Sequence, residues 1–202
     1  MSSNHQPGCG HCPGGFGLAS PLVEEERFWV VCDRNPLTEG HILVIPREHI
    51  SCVGNLVDDD FLQLKNWYQK ISQFISNNYG PVAVFEHGIA GQTVPHCHVH
   101  FLPFNGNVAD IISQADKLKE VSSLDELRRE FVNKGEYLFL EVGGKQYLVD
   151  TIIGYPRFFR ELFAAALGAP ERANWRVARQ DPDINSKMDN EIKTLENKWN
   201  EI

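Results

Sequence analysis

The chain has 202 residues, of which 42% are hydrophobic and 23% charged, enough apolar material to bury a substantial core and a length that suits one domain with an extension or two small ones. Its formal net charge of -8 argues against non-specific attachment to a nucleic-acid backbone, although it leaves room for a local basic groove. No apolar run approaches the roughly 18 to 20 residues of a membrane span, and Met1 to Gly17 lacks the apolar segment of a signal peptide, so the expected compartment is the cytoplasm with no membrane partner.

The first 21 residues are rich in Gly and Pro, and Cys9-Gly10-His11-Cys12 within them has the spacing of half a zinc site. Five cysteines is an odd count; Cys32, Cys52 and Cys97 read as core or incidental thiols rather than a disulfide framework. Arg27 to Cys32 and His41 to Pro46 read as strands joined by a turn around Asn35 to Gly40. From Asp58 to Asn78, Phe61, Leu64, Trp67, Ile71, Phe74 and Ile75 recur at helical spacing behind an acidic first turn, and Gly80-Pro81 stops the pattern. Val82 to Glu86 and His98 to Pro103 read as antiparallel strands, giving a small sheet with one long helix against it.

Beyond Phe104-Asn105-Gly106-Asn107 the pattern shifts to short elements. Ser122 to Asn133 reads as a helix behind cap residues, and Tyr137 to Val142 and Gln146 to Val149 flank a Gly143-Gly144 hairpin turn. Phe158 to Leu167 reads as an apolar helix stopped by Gly168 and Pro170. In the tail, Met188, Ile192, Leu195, Trp199 and Ile202 form an apolar stripe that suits docking on its own domain or pairing with a second subunit as a homodimer. The expected division is a catalytic core over 1–105, an extension over 106–180 and an amphipathic tail helix over 181–202.

The most informative run is His96-Cys97-His98-Val99-His100. On a strand, alternate side chains share a face, so the three imidazoles would point one way and Cys97, Val99 and Phe101 the other. At roughly 3.3 Å per residue, His96 and His100 lie about 13 Å apart, too far to ligate one ion easily from a regular strand. The three histidines must divide their labour. One reading pairs His96 and His98 as ligands of a catalytic metal with a third ligand such as Glu86.

The histidine run, its approach Ala90-Gly91-Gln92-Thr93-Val94-Pro95 and the upstream segment Asp33-Arg34-Asn35-Pro36-Leu37-Thr38-Glu39-Gly40-His41 through His49 resemble the histidine triad (HIT) superfamily of nucleotide hydrolases and transferases. The matched segments lie between residues 9 and 103. Pro156-Arg157-Phe158-Phe159-Arg160-Glu161-Leu162 through Asn174-Trp175-Arg176 is similar to a C-terminal extension of some longer HIT-like proteins. The resemblance implies an α+β fold: a HIT-type antiparallel sheet with a long packing helix, plus a smaller α/β extension.

For the site, the resemblance implies that His98 attacks the α-phosphorus of a nucleoside 5′-phosphate derivative, such as a phosphoramidate or a dinucleoside polyphosphate, and carries the nucleotidyl group. Gln92 and Thr93 would contact the phosphate from the Gly91 turn, and His100 would donate to it or to the leaving group. Asp33 would accept the ribose hydroxyls, and His41 would support the nucleotide site. Phe28 or Leu43 would wall the base, adenine by family frequency. The retained His100 leans toward hydrolysis, because transferase branches commonly carry Gln there. One departure stands out: where many relatives have an Asn beside the phosphate, this chain has Phe85, with Glu86 or His87 as candidate replacements.

Some branches also hold a structural zinc, whose ligands here would be Cys9, Cys12, His49 and His96, with His11 an alternative for one of the four. The partner expected is a small-molecule nucleotide, with nucleic acid left open. A phosphorylase of dinucleoside polyphosphates and a nucleotide- or RNA-associated adaptor with little or no turnover are the other readings.

Overall fold

The computed structural model describes residues 5–201; Ile202, the last member of the tail stripe, lies outside them. Eight strands form one antiparallel sheet: β1 (Pro21–Glu24), β2 (Phe28–Cys32), β3 (Ile42–Pro46), β4 (Val82–Glu86), β5 (Val99–Pro103), β6 (Leu118–Val121), β7 (Leu138–Val142) and β8 (Lys145–Val149), in the order β1-β2-β3-β5-β4-β7-β8-β6. The helices are α1 (Asp58–Asn78), α2 (Val108–Ile111), α3 (Asp125–Lys134), α4 (Phe158–Ala166), α5 (Trp175–Ala178) and α6 (Pro182–Trp199). Among the described residues no helix is long and apolar enough to cross a membrane.

The fold is α+β, and α1 covers the span its periodicity implies. The second half of the chain continues the sheet of the first half, because β7 pairs antiparallel with β4 through Val84–Glu141, Phe85–Leu140 and Glu86–Phe139. Gly143 and Gly144 both take positive φ, 63° and 74°, the pair of left-handed residues that a two-residue hairpin requires. The short β1 and β6 carry no clear alternation in sequence. Each is an edge strand, recruited by pairing with β2 and with β8.

Each face of the sheet is covered. One face packs Val30, Val44, Val84, Val99, Phe101 and Phe139 against Leu64, Trp67, Ile71 and Phe74 of α1, and the tail helix α6 adds Ile192 and Leu195. The tail stripe therefore docks on its own chain, with Trp199 edge-on to Phe74 at 4.8 Å. The opposite face packs Ala83, Phe85, Leu102, Leu138 and Leu140 against Phe158, Phe159 and Phe163 of α4. Strand alternation sends Cys97, Val99 and Phe101 to the α1 face and leaves His98 and His100 on the α4 face. The histidine run and the second half of the chain thus share one side of the sheet.

Candidate active site

Of the three histidines only His100 lies within β5; His96 and His98 occupy the extended segment before it, and the three rings go to different neighbours as their spacing demands. His96 turns toward the N-terminal loop, where its Nδ1 lies 3.4 Å from Cys9 Sγ and 3.6 Å from Cys12 Sγ, while Cys12 Sγ is 3.5 Å from His49 Nδ1. One ligand atom from each of Cys9, Cys12, His49 and His96 lies within 4.8 Å of all the others. Tetrahedral zinc with bonds of about 2.0–2.3 Å sets its ligands roughly 3.3–3.8 Å apart, so these four residues could hold such an ion. The outer nitrogen of His96 donates to Pro46 O at 2.8 Å, which leaves Nδ1 deprotonated toward the sulfurs. His11 is not one of the four; its ring lies edge-on to His98 at 4.6 Å.

His98 donates from Nδ1 to the carbonyl of His96 at 2.6 Å, so its Nε2 carries the lone pair. Burial lowers the pKa of this imidazole below its ordinary value and Arg160 acts in the same sense, against the His96 carbonyl and Asp33. A neutral ring with one nitrogen pinned and the other free is what a nucleophilic histidine requires.

Beside it a second chain of bonds sets the proton on His100. The backbone N–H of Leu37 donates to His41 Nδ1 at 3.1 Å, so His41 holds its proton on Nε2 and donates it to His100 Nδ1 at 2.9 Å. The remaining proton of His100 must then sit on Nε2, which is buried and has no partner among the described residues. Burial depresses His41 to about 4, so the relay is neutral near pH 7. Phe85, the cross-strand neighbour of His100, stacks on it at 4.2 Å between centroids.

Asp33 directly follows β2, donates its N–H to His41 O at 2.9 Å, and is buried. Its Oδ1 accepts from the Asn35 N–H at 2.8 Å and its Oδ2 from Arg160 Nη1 at 2.8 Å, with a second arm of Arg160 on Asn35 O at 2.7 Å. Burial pushes this carboxyl up, but His41, Arg160 and the bonds from Asn35 and Arg160 outweigh it and hold it below its ordinary value; Arg160 is the nearer cation at 2.8 Å, against 3.4 Å for His41. Asp33, His41 and His100 also form a compact His/Asp cluster, but the Arg160 guanidinium on Asp33 opposes a second cation there. Sequence reading does not reveal Arg160: a lone arginine on an apolar helix carries no mark of its partner 127 positions earlier.

A cavity of about 50 Å³ opens beside His98, bounded by His11, Asp33, Thr93, His100 and Arg160, and partly roofed by Phe16 and Trp175, whose rings meet at 5.5 Å. Leu43 lines it. Phe28 does not: it points to the α1 face, two residues in step with Val30 and Cys32.

The approach loop needs Gly91. Its φ is +85°, and a Cβ there would lie 2.6 Å from Tyr155 O. The Gln92 amide donates to Ser51 O at 2.7 Å, and Thr93 is exposed at the cavity edge.

Neither candidate replacement for the absent Asn turns to the cavity. Glu86 points to the other face, where it accepts from Val53 N–H at 2.8 Å and Tyr137 OH at 2.5 Å. It therefore cannot join His96 and His98 around a catalytic metal. His87 Nε2 accepts from Phe159 N–H at 3.2 Å and is spent on holding α4.

A family model described as the HIT domain matches residues 19–107. A HIT-like protein of Chlamydia trachomatis is 37% identical over 86 residues, which cover 40% of this chain and 77% of that protein. This chain belongs to the HIT family. The bis(5′-adenosyl)-triphosphatase of Dictyostelium discoideum is 28% identical over 114 residues, 52% of this chain and 76% of that enzyme. The crystal structure of a HIT-like protein from Bartonella henselae is 24% identical with a TM-score of 0.39, covering 41% of this chain and 64% of that one. The HIT match ends near residue 107, so Arg160, which seals Asp33, comes from outside the matched segment.

Proposed function

We propose that this HIT protein is a nucleotide hydrolase that cleaves a nucleoside 5′-phosphate derivative at the α-phosphorus through a nucleotidyl group on His98. The observation that carries the reading is the pairing of two proton assignments: His98 pinned through Nδ1 with a free Nε2, and His100 with an unpartnered proton on Nε2 beside it. The triphosphatase name of the Dictyostelium relative supports the same class of substrate.

Attack by His98 Nε2 forms the N–P bond as the bond from phosphorus to the leaving group breaks; the leaving group takes its proton from solvent, while the Nε2–H of His100 hydrogen-bonds to the phosphate or to the leaving group and keeps its proton. The bond from His98 Nδ1 to the His96 carbonyl stabilises the positive ring that results. Water then attacks the nucleotidyl-histidine, releasing the nucleoside monophosphate and the free imidazole. Thr93 and the loop beginning at Gly91 are assigned to the non-bridging oxygens, with Gln92 behind them. Zinc on Cys9, Cys12, His49 and His96 is structural: a closed Cys₂His₂ set has no open position for chemistry.

The experiment is product analysis of wild type and His98→Ala against adenosine phosphoramidate, diadenosine polyphosphates, nucleotide sugars and 5′-adenylylated DNA, with and without inorganic phosphate. Nucleoside monophosphate from wild type alone is the expected outcome. Phosphate-dependent diphosphate formation would make the protein a phosphorylase, and equal turnover by His98→Ala would remove the nucleophile assignment. Binding without turnover across the whole panel would make it an adaptor.

A further inference from the structure

We infer that His11 is a fourth substrate-contacting histidine, donating to the phosphate that His98 attacks; this rests on the function proposed above. His11 lies between the two cysteines of the N-terminal knuckle, yet it is not one of the four clustered ligands, and its ring packs edge-on to His98, 4.6 Å away and at 70°. It is 5% exposed, and its Nδ1 has no hydrogen-bond partner among the described residues. An unmatched buried polar atom is costly, and a ligand that pairs with it recovers that cost on binding.

A second orphan lies close by. His100 Nε2 is also buried and unmatched, and both rings line the one small cavity beside His98, together with Arg160 and Thr93. Two unpartnered imidazole nitrogens facing one space, where the Arg160 charge is already met by Asp33, describe a receptor for hydrogen-bond acceptors such as phosphate oxygens rather than a packed core. The N-terminal segment is shaped to keep His11 there: a Cβ on Gly17 would lie 2.3 Å from the His11 ring, so only glycine allows this close approach. The His11 backbone N–H donates to Cys9 Sγ at 3.5 Å, which ties the ring's position to the knuckle.

His11 thus links the two sites. The cysteine knuckle delivers a polar side chain to the nucleophile that the histidine run does not supply, since that run gives His98 and His100 to the cavity and turns His96 to the cysteines.

The test uses the 202-residue chain, zinc-loaded, and compares binding of adenosine 5′-monophosphate with binding of adenosine by calorimetry. His11→Phe keeps a ring edge against His98 and removes both nitrogens; His11→Gln returns a donor without the ring. The expected result is a drop of about 10-fold or more in the monophosphate-to-nucleoside affinity ratio for His11→Phe, with partial recovery in His11→Gln, as for loss of a hydrogen bond to a charged group. Zinc content and unfolding temperature are measured alongside, because a purely structural His11 would move those and leave the ratio alone. An unchanged ratio in folded His11→Phe overturns the assignment. Wild type that binds the monophosphate no better than the nucleoside would instead remove the α-phosphate reading itself, and this assignment with it.

Discussion

Arg160 of α4 donates to the carboxylate of Asp33 at 2.8 Å, and both side chains are buried, each 7% exposed. This pair fastens the second half of the chain to the nucleotide half at the residue expected to meet the ribose. Breaking a buried pair by removing one partner leaves an uncompensated charge, so Arg160→Leu should cost about 3–5 kcal/mol in chemical denaturation. Asp33→Asn combined with Arg160→Leu should recover a large part of that loss, and simple additivity of the two single variants would show that the pair is not coupled.

The cysteine knuckle should carry one zinc per chain. Purified protein measured by elemental analysis should contain the metal, and Cys9→Ser or His49→Ala should lose it together with several degrees of unfolding temperature. Chelation should act in the same direction, because binding energy at a structural site is folding energy. Metal-free wild type with unchanged stability would rule the site out.

Glu86 makes a pH prediction that is independent of the active site. Burial raises its carboxyl to about 7, against opposing bonds from Tyr137, Val53 and Cys97. A carboxyl raised in the folded state binds a proton that the unfolded chain releases near its ordinary value. Its contribution is therefore fully present below about pH 4.5 and is lost as pH rises through about 7. Glu86→Gln removes that dependence, so the stability difference between variant and wild type should swing in the variant's favour by about 3 kcal/mol between pH 4.5 and 8. A difference that stays flat over that range would mean that Glu86 is ionised throughout.

The tail helix should behave as part of the core. Leu195 is 2% exposed among the α1-face residues, so Leu195→Ala should cost about 2–5 kcal/mol in a single cooperative transition. If the loss depended on protein concentration, the helix would instead be engaging a second copy.

Much of this protein is legible from local pattern. The 3.6-residue period of Phe61, Leu64, Trp67 and Ile71 suffices for α1, the alternation of His98 and His100 with Cys97 and Val99 suffices for the face they share, and the Cys9, Cys12, His49 and His96 set follows from resemblance. These are short-range regularities or residue types with narrow chemistry. What only the tertiary structure decided is how distant segments meet. The β4–β7 pairing that makes one sheet of eight strands, the placement of Arg160 on Asp33, the turn of Glu86 to the α1 face and the delivery of His11 to His98 all join residues 50 or more positions apart or across a knuckle. Local sequence carries no signal for such contacts. Burial selects them when the whole chain closes and every polar group that leaves water must find a partner or keep a place for a ligand.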